Sequence, residues 1–497
     1  MTAPERLRTA SAAKAARRKN ESPRLGEFGS FVGGKWIESS EAVDVRSPYD
    51  DALVAVVHRA GPEEIETAID GAVKAFQVMR RLPVWKRADA LEKISSGIGA
   101  RREDFAQTLA LEAGKPIRTA RDEVDRAIFT YKVAAEESKR IYGEIVPLDW
   151  QPGMDGREAH IRHVPLGPVA GITPFNYPVN LVAHKVAPAL AAGDPIIIRP
   201  ASQTPVSALK LAQVVSEAGL PQGAFSVVPS TTQAAAALVE DERIRFLSFT
   251  GSPAVGWALK SRAGRKRMTL ELGGNAGVIV HSDADLNYAA ERVAWGGFSY
   301  AGQSCVSVQR VYIHTDVYEA FRDELVRRVK ALKVGDPLDE TTDVGPMIDL
   351  SAAERVEAWV DEARQAGAQV LTGGTRNGNL WQPTVLAEIR PDLRVSCQEV
   401  FAPLVGLYRY TDIGEAIQGV DASDFGLQAG LFTNDMRVIR EAFENIEVGG
   451  LMVNDVSTFR IDHMPYGGVK QSGTGREGLR YAIEEMSEMK LMTFNYR

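Results

Sequence analysis

At 497 residues the chain is too long for a single hydrophobic core, and about three domains are expected. Hydrophobic residues make up 44% and charged residues 25%, which excludes a fibrous or wholly disordered chain. The 58 basic and 65 acidic residues are interspersed and sum to -7, so no basic face offers itself to nucleic acid, and no apolar run reaches the roughly 18 residues that span a bilayer.

Residues 1–25 open with MTAPERLRTASAAKAARRKN, which is basic and Ala-rich but lacks the apolar core of a secretory signal. The stretch reads as a solvated tail, with a targeting segment as the alternative. From Phe31 to Val57, apolar and polar residues alternate around Gly and Ser-Pro turns, which predicts short strands. From about Pro62 to Tyr142 the spacing turns helical, as in Ile65, Ala68, Ile69, Ala72, Val73 and Phe76. The longest of these helices carries Val124, Ile128, Tyr131 and Ala135 on one stripe. Arg126 is two residues from Val124, roughly 200° around the axis, and so leaves the stripe as a solvated side chain would.

From Val169 the texture becomes strand and helix in alternation: VAGIT, an apolar helix through Val186 and Leu190, PIIIRP, a helix from Ser207 to Ala218, FSVVP and RFLSFTGS. Short β-branched runs between amphipathic helices predict parallel βαβ units around a buried sheet. The Gly-x-Gly-x-x-Gly dinucleotide fingerprint is absent from VAGITPFNYPVN. Gly251 and Ser252 instead stand where a strand passes into a helix, a turn that could hold a pyrophosphate on free N–H groups or simply connect two elements. A second α/β stretch runs from AGVIV through RVYIH and a long charged helix to GGLMVN. The final MKLMTFNYR alternates like an edge strand open to pairing with another segment or subunit.

The two cysteines, Cys305 and Cys397, exclude a disulfide framework and make a reducing cytosol the expected compartment. Cys397, in RVSCQEVF, reads as a small buried hydrophobe. Cys305 has the same reading open to it, but in YAGQSCVSVQR the preceding Gly and small polar residues would leave a thiol partly exposed, as a reactive one must be. Glu271, at the apolar strand end TLELGGN, either pairs with a buried cation or faces a cavity, where desolvation would tune it as a general base. Asn176, in PFNYP, either caps the following helix or aims its amide at a developing oxyanion.

Together PFNYP, the RPASQTP run from Arg199, FTGSPAVG, LELGGN, GQSC, EVFAP and PYGGVKQSGTGREG resemble the aldehyde dehydrogenase superfamily, with Glu271 preceding Cys305 at that family's spacing. The resemblance implies an α/β fold with a Rossmann-type cofactor domain over 26–146 and 168–276. It implies a catalytic α/β domain over 277–478 and a small β oligomerisation element from 147–167 and 479–497, assembled as a homodimer or homotetramer. It implies that Cys305 forms a thiohemiacetal whose oxyanion is held by Asn176, and that Glu271 activates water to hydrolyse the ensuing thioester.

A nicotinamide dinucleotide, NAD or NADP, would meet Thr173, Pro174, Phe175, Arg199, Ser202, Gly251, Ser252, Leu272, Gly273, Glu399 and Phe401. Arg199 stands where lysine is usual, and Ser202 where NAD-preferring members often carry glutamate, which leans the reading towards NADP. RIDHMPYGG resembles members that act on small phosphorylated or hydroxylated aldehydes. Arg126, Tyr177 and Arg460 match substrate contacts there, while Ser304 replaces an arginine common in the phosphate-handling enzymes. The expected substrate is a small polar or anionic aldehyde. The alternatives are a thiol esterase or acyltransferase, and a non-catalytic binding protein on the same scaffold.

Overall fold

A computed structural model describes residues 22–496, so most of the tail expected over 1–25 lies outside the described residues. The alternating segment forms the strands Ser30–Val32, Lys35–Ile37, Ala42–Arg46 and Leu53–His58. The helical segment divides into Pro62–Met79, Val84–Ala100, Arg102–Ala113 and Ile117–Ser138. Proline and glycine make those divisions: Pro62 opens the first helix, Pro83 and Pro116 precede the second and fourth, and Gly114 ends the third in the left-handed region.

The β-branched runs after Val169 form the centre of an eight-stranded sheet. Its parallel strands lie in the order Arg267–Glu271, Phe246–Thr250, Val169–Ile172, Ile196–Arg199, Phe225–Val227. The middle strands are buried on both faces, which is why they read as continuous apolar runs rather than alternations. Val169–Ile172 is flanked by the next strand in sequence and by the third after it, so the strand order reverses there and a crevice opens at the carboxyl ends. At one edge Gly473–Thr474 returns from far along the chain to pair antiparallel with Leu270 and Glu271.

A second sheet has the order Gln369–Thr372, Thr384–Ala387, Leu404–Tyr410, Val308–His314, Ala276–Val280, Gln428–Phe432, Gly450–Val453, and only its edge strand Gln369–Thr372 is antiparallel. A third sheet joins Glu144–Pro147, Arg157–Pro165 and Ser487–Asn495. In it the C-terminal strand is an edge that exposes Met489, Leu491 and Met492. Between the first sheet and the helix Ile117–Ser138 runs Asn180–Ala192, buried at every residue despite carrying Asn180, His184 and Lys185. No helix among the described residues is long and apolar enough to cross a membrane.

Candidate active site

The crevice leads into a cavity of about 380 Å³ lined by connections of both large sheets. Asn176, Glu271, Ser304 and Cys305 meet there, with Arg126, Tyr177 and Arg460 on the same wall system. Pro174, Phe175, Gly251, Ser252, Leu272, Gly273, Glu399 and Phe401 also line it, whereas Thr173, Arg199 and Ser202 lie off it.

Cys305 follows a turn held in an uncommon conformation. Tyr300 and Ala301 have φ of 50° and 54°, and Gly302 continues the left-handed run where a Cβ would stand 2.1 Å from the Ala402 carbonyl oxygen. The turn is pinned from outside, since the Tyr300 hydroxyl donates to the Ala113 carbonyl (3.0 Å) and Gln303 accepts from the Ile348 N–H (2.8 Å). Cys305 remains half-buried, its Sγ 3.0 Å from the Tyr466 hydroxyl. Burial pushes the thiol up to about 12 although the Tyr466 hydroxyl pulls it down, so a base must take its proton near neutrality.

Asn176 does not cap the helix that follows; that helix begins at Asn180 with no side-chain cap. Its Nδ2 donates instead to the Gln303 carbonyl (3.0 Å), which fixes one amide N–H and leaves the second for an oxyanion beside Cys305. The Asn176 carbonyl accepts from Lys115 Nζ (2.8 Å). Lys115 is fully buried, ion-paired with Glu123, and its ammonium sits 3.8 Å and 4.3 Å from the ring centroids of Tyr177 and Tyr300. Glu123 in turn accepts from the N–H groups of Val179 (2.9 Å) and Asn180 (3.1 Å). One buried ion pair therefore clamps both ends of the segment that carries the amide.

Glu271 ends its strand buried, and neither carboxyl oxygen has a hydrogen-bond partner. Burial, with the charge of Glu477 adding to it, raises the group well above the usual carboxylate range against the pull of Arg460 and Lys185. Glu477 goes the other way: burial would raise it, but the charges of Lys185 and Arg460, the latter also donating a hydrogen bond, hold it at about 2. Neighbouring carboxyls are thus set apart by their surroundings, one ready to bind or release a proton and one permanently ionised.

Arg126 leaves the apolar stripe of its helix but is only partly solvated. Its Nε (3.2 Å) and Nη2 (2.6 Å) fork onto Asp462. Arg460 lies 3.6 Å from the centroid of the Tyr466 ring, donates to Glu477 (3.0 Å) and keeps a buried Nε without a partner. Cys397 departs from its expected burial and stands half-exposed at the end of the short helix Arg394–Cys397.

The surroundings fit a dinucleotide. Ser252 precedes the helix Pro253–Arg262 and makes no side-chain cap, which leaves first-turn N–H groups for an anion. A Cβ on Gly273 would stand 2.6 Å from the Glu399 carboxylate. Glu399 is pushed up to about 7 by burial, with the Gly274 N–H (2.9 Å) and Arg355 opposing the rise. Phe401, at φ 53°, meets Phe175 edge-on at 5.9 Å. Arg199 Nη2 donates to the Ser230 carbonyl (3.1 Å), while Arg199 Nε and the Ser230 hydroxyl are buried without partners. Unmatched donors at two places, with glycine where a side chain would intrude, suit phosphate and ribose oxygens.

Sequence reasoning missed Tyr466, the Lys115–Glu123 pair, and the buried group of His184, Lys185, Asp462 and Glu477. A signal existed for Glu123, which falls between Ala120 and Ala127 on the buried face, and for His184 and Lys185, which interrupt an otherwise apolar helix.

Residues 36–492 match the model of the aldehyde dehydrogenase family. The chain is 46% identical over 470 residues to the 3-sulfolactaldehyde dehydrogenase of Priestia aryabhattai, covering 94% of this chain and 98% of that one. It resembles the crystal structure of aldehyde dehydrogenase 21 from Physcomitrella patens in complex with the reaction product succinate, at a TM-score of 0.93 and 43% identity over 95% of this chain and 99% of that one. It also resembles the glyceraldehyde-3-phosphate dehydrogenase of Methanocaldococcus jannaschii complexed with NADP, at a TM-score of 0.88 and 39% identity over 92% of this chain and all of that one, 100%. The chain belongs to the aldehyde dehydrogenase family, with the α/β fold its motifs implied. It is an NAD(P)-dependent aldehyde dehydrogenase.

Proposed function

We propose that the enzyme oxidises a small anionic aldehyde to its carboxylic acid through a thioester on Cys305, with NADP as the preferred acceptor. The observation that carries the substrate reading is the pair of arginines, Arg126 and Arg460, lining the same cavity as Cys305. Three relatives are named for, or hold, molecules with an anionic group: 3-sulfolactaldehyde, succinate and glyceraldehyde-3-phosphate.

Cys305 gives its proton to water reaching the cavity and attacks the carbonyl carbon, and the alkoxide that forms is met by the free N–H of Asn176 and the Cys305 backbone N–H. When bound, the nicotinamide ring supplies a two-electron acceptor, and oxidation leaves a thioester on Cys305. Glu271 in its ionised form then takes a proton from water as the water attacks the thioester, and acid and thiol are released. The unpartnered state of both Glu271 oxygens supports this, since a carboxylate already engaged could not orient water. Ser202 is exposed near Arg199, whose Nε lacks a partner, so a 2′-phosphate would meet cationic and hydroxyl donors there.

The low cysteine content supports a cytoplasmic location, and the exposed edge strand Ser487–Asn495 supports a homodimer or homotetramer. Residues 26–146 and 168–276 would bind the dinucleotide and 277–478 would carry the thiol, except that 473–474 completes the first sheet. The segments 147–167 and 479–497 would serve assembly.

The test is kcat/KM for 3-sulfolactaldehyde, succinate semialdehyde and uncharged lactaldehyde, each with NAD and NADP. Charged aldehydes should be favoured, Arg126→Leu and Arg460→Leu should erase that preference, and Cys305→Ala should abolish cofactor reduction. Equal specificity for charged and uncharged aldehydes would refute the substrate reading.

A further inference from the structure

We infer that Asp462 sets the number of negative charges the enzyme accepts, by holding Arg126 so that the cavity matches a monoanionic aldehyde and disfavours a dianionic one. The inference rests on the anionic-aldehyde reading above and concerns a residue that does not line the cavity. Asp462 is 2% exposed and is gripped by three side chains: the Arg126 fork, His184 Nε2 (2.8 Å) and Asn180 Nδ2 (3.2 Å). Burial alone would raise its pKa, yet His184 and Arg126 hold it well below the usual carboxylate range, so its charge is permanent.

The fork occupies Nε and Nη2 of Arg126 and leaves Nη1 outside the pair. On Arg460, Nη2 is taken by Glu477 and Nε is free. An incoming anion therefore meets an Arg126 already engaged by Asp462 and an Arg460 already engaged by Glu477 rather than two open forks.

The charges behind the wall give the same answer. Arg126 and Asp462 cancel, as do Lys115 and Glu123. Lys185 and Arg460 share the one carboxylate of Glu477. Burial pushes His184 towards its neutral form, with Arg460 adding to the effect, and burial pushes Glu271 towards its protonated form. With both in those forms, and with Arg355 set against Glu399 in the same cavity, the surplus among these groups is a single positive charge. A carboxylate or sulfonate balances it, whereas a second negative charge would be desolvated without a partner and would feel Asp462 across the guanidinium.

The test uses the full-length enzyme with nicotinamide dinucleotide and three aldehydes of similar size: 3-sulfopropanal with one charge, 3-phosphonopropanal with two near pH 8, and uncharged butanal. The wild type should favour the sulfonate over the phosphonate in kcat/KM by roughly tenfold or more, from one unmatched charge in a partly screened site. Asp462→Asn should shrink that ratio by roughly tenfold, while Asp462→Glu, which keeps the charge, should preserve it. A merely structural role would lower all three aldehydes together and leave the ratio alone. A wild type that takes both anions equally would overturn the inference without needing any variant to fold, and so would an unchanged ratio in Asp462→Asn. If both anions fared no better than butanal, the anionic-aldehyde reading would be lost instead, which is a separate result.

Discussion

Replacing Glu271 by Gln would remove a base while keeping its volume, and the structure makes the consequences separable. Neither carboxyl oxygen has a partner, so the substitution breaks no hydrogen bond. General-base assistance is worth roughly 10²–10⁴ in rate, or about 3–5 kcal/mol of barrier. In stopped-flow absorbance, Glu271→Gln should still give a burst of about one reduced cofactor per active site, followed by turnover slowed by roughly that factor. The same residue carries a stability signature. Its folded pKa lies above the ordinary value of 4.5, so its contribution is fully present below the unfolded pKa and is lost as pH rises through the folded one. The Gln variant escapes that loss, so its melting temperature relative to wild type should gain more near pH 8 than near pH 5. A burst slowed in step with turnover would refute the reasoning, because Glu271 would then be serving the thiol rather than the water.

Two further outcomes are expected. Ser202→Glu should raise KM for NADP by roughly tenfold or more and leave NAD nearly untouched, since a carboxylate beside Arg199 would repel only the 2′-phosphate; steady-state kinetics with both cofactors checks this. Lys115→Met strands the Glu123 carboxylate in the interior and should cost about 3–5 kcal/mol in chemical denaturation, with kcat falling more than KM rises as Asn176 loosens. Adding Glu123→Gln, which keeps an acceptor for the Val179 and Asn180 N–H groups, should recover part of the stability.

What the sequence made legible follows from the range of the interactions involved. The parallel strands were visible because burial on both faces leaves uninterrupted runs such as Ile196–Ile198, and the helix divisions because proline and glycine act locally. Cys305, Glu271 and Asn176 were each ambiguous on local grounds; only the set of motifs raised them above a buried thiol, a paired carboxyl and a helix cap. The Tyr466 hydroxyl at Cys305, the Asp462 grip on Arg126 and the Lys115 bond to the Asn176 carbonyl were illegible, because they join residues 161, 336 and 61 positions apart. Periodicity carries no information about such side-chain partners. Arg126 illustrates the limit: its departure from the apolar stripe was read correctly, but the carboxylate that receives it lies on a loop near the other end of the chain.

The pairing of Gly473–Thr474 with Leu270 and Glu271 has a consequence for synthesis. The strand that ends in the base emerges from the ribosome some two hundred residues before the segment that completes its sheet edge, and Tyr466, Arg460, Asp462 and Glu477 arrive with that same late segment. A nascent chain can therefore contain the nucleophile, the base and the oxyanion donor while lacking the groups that surround them. Residues 460–477 are what complete the surroundings of the nucleophile and the base.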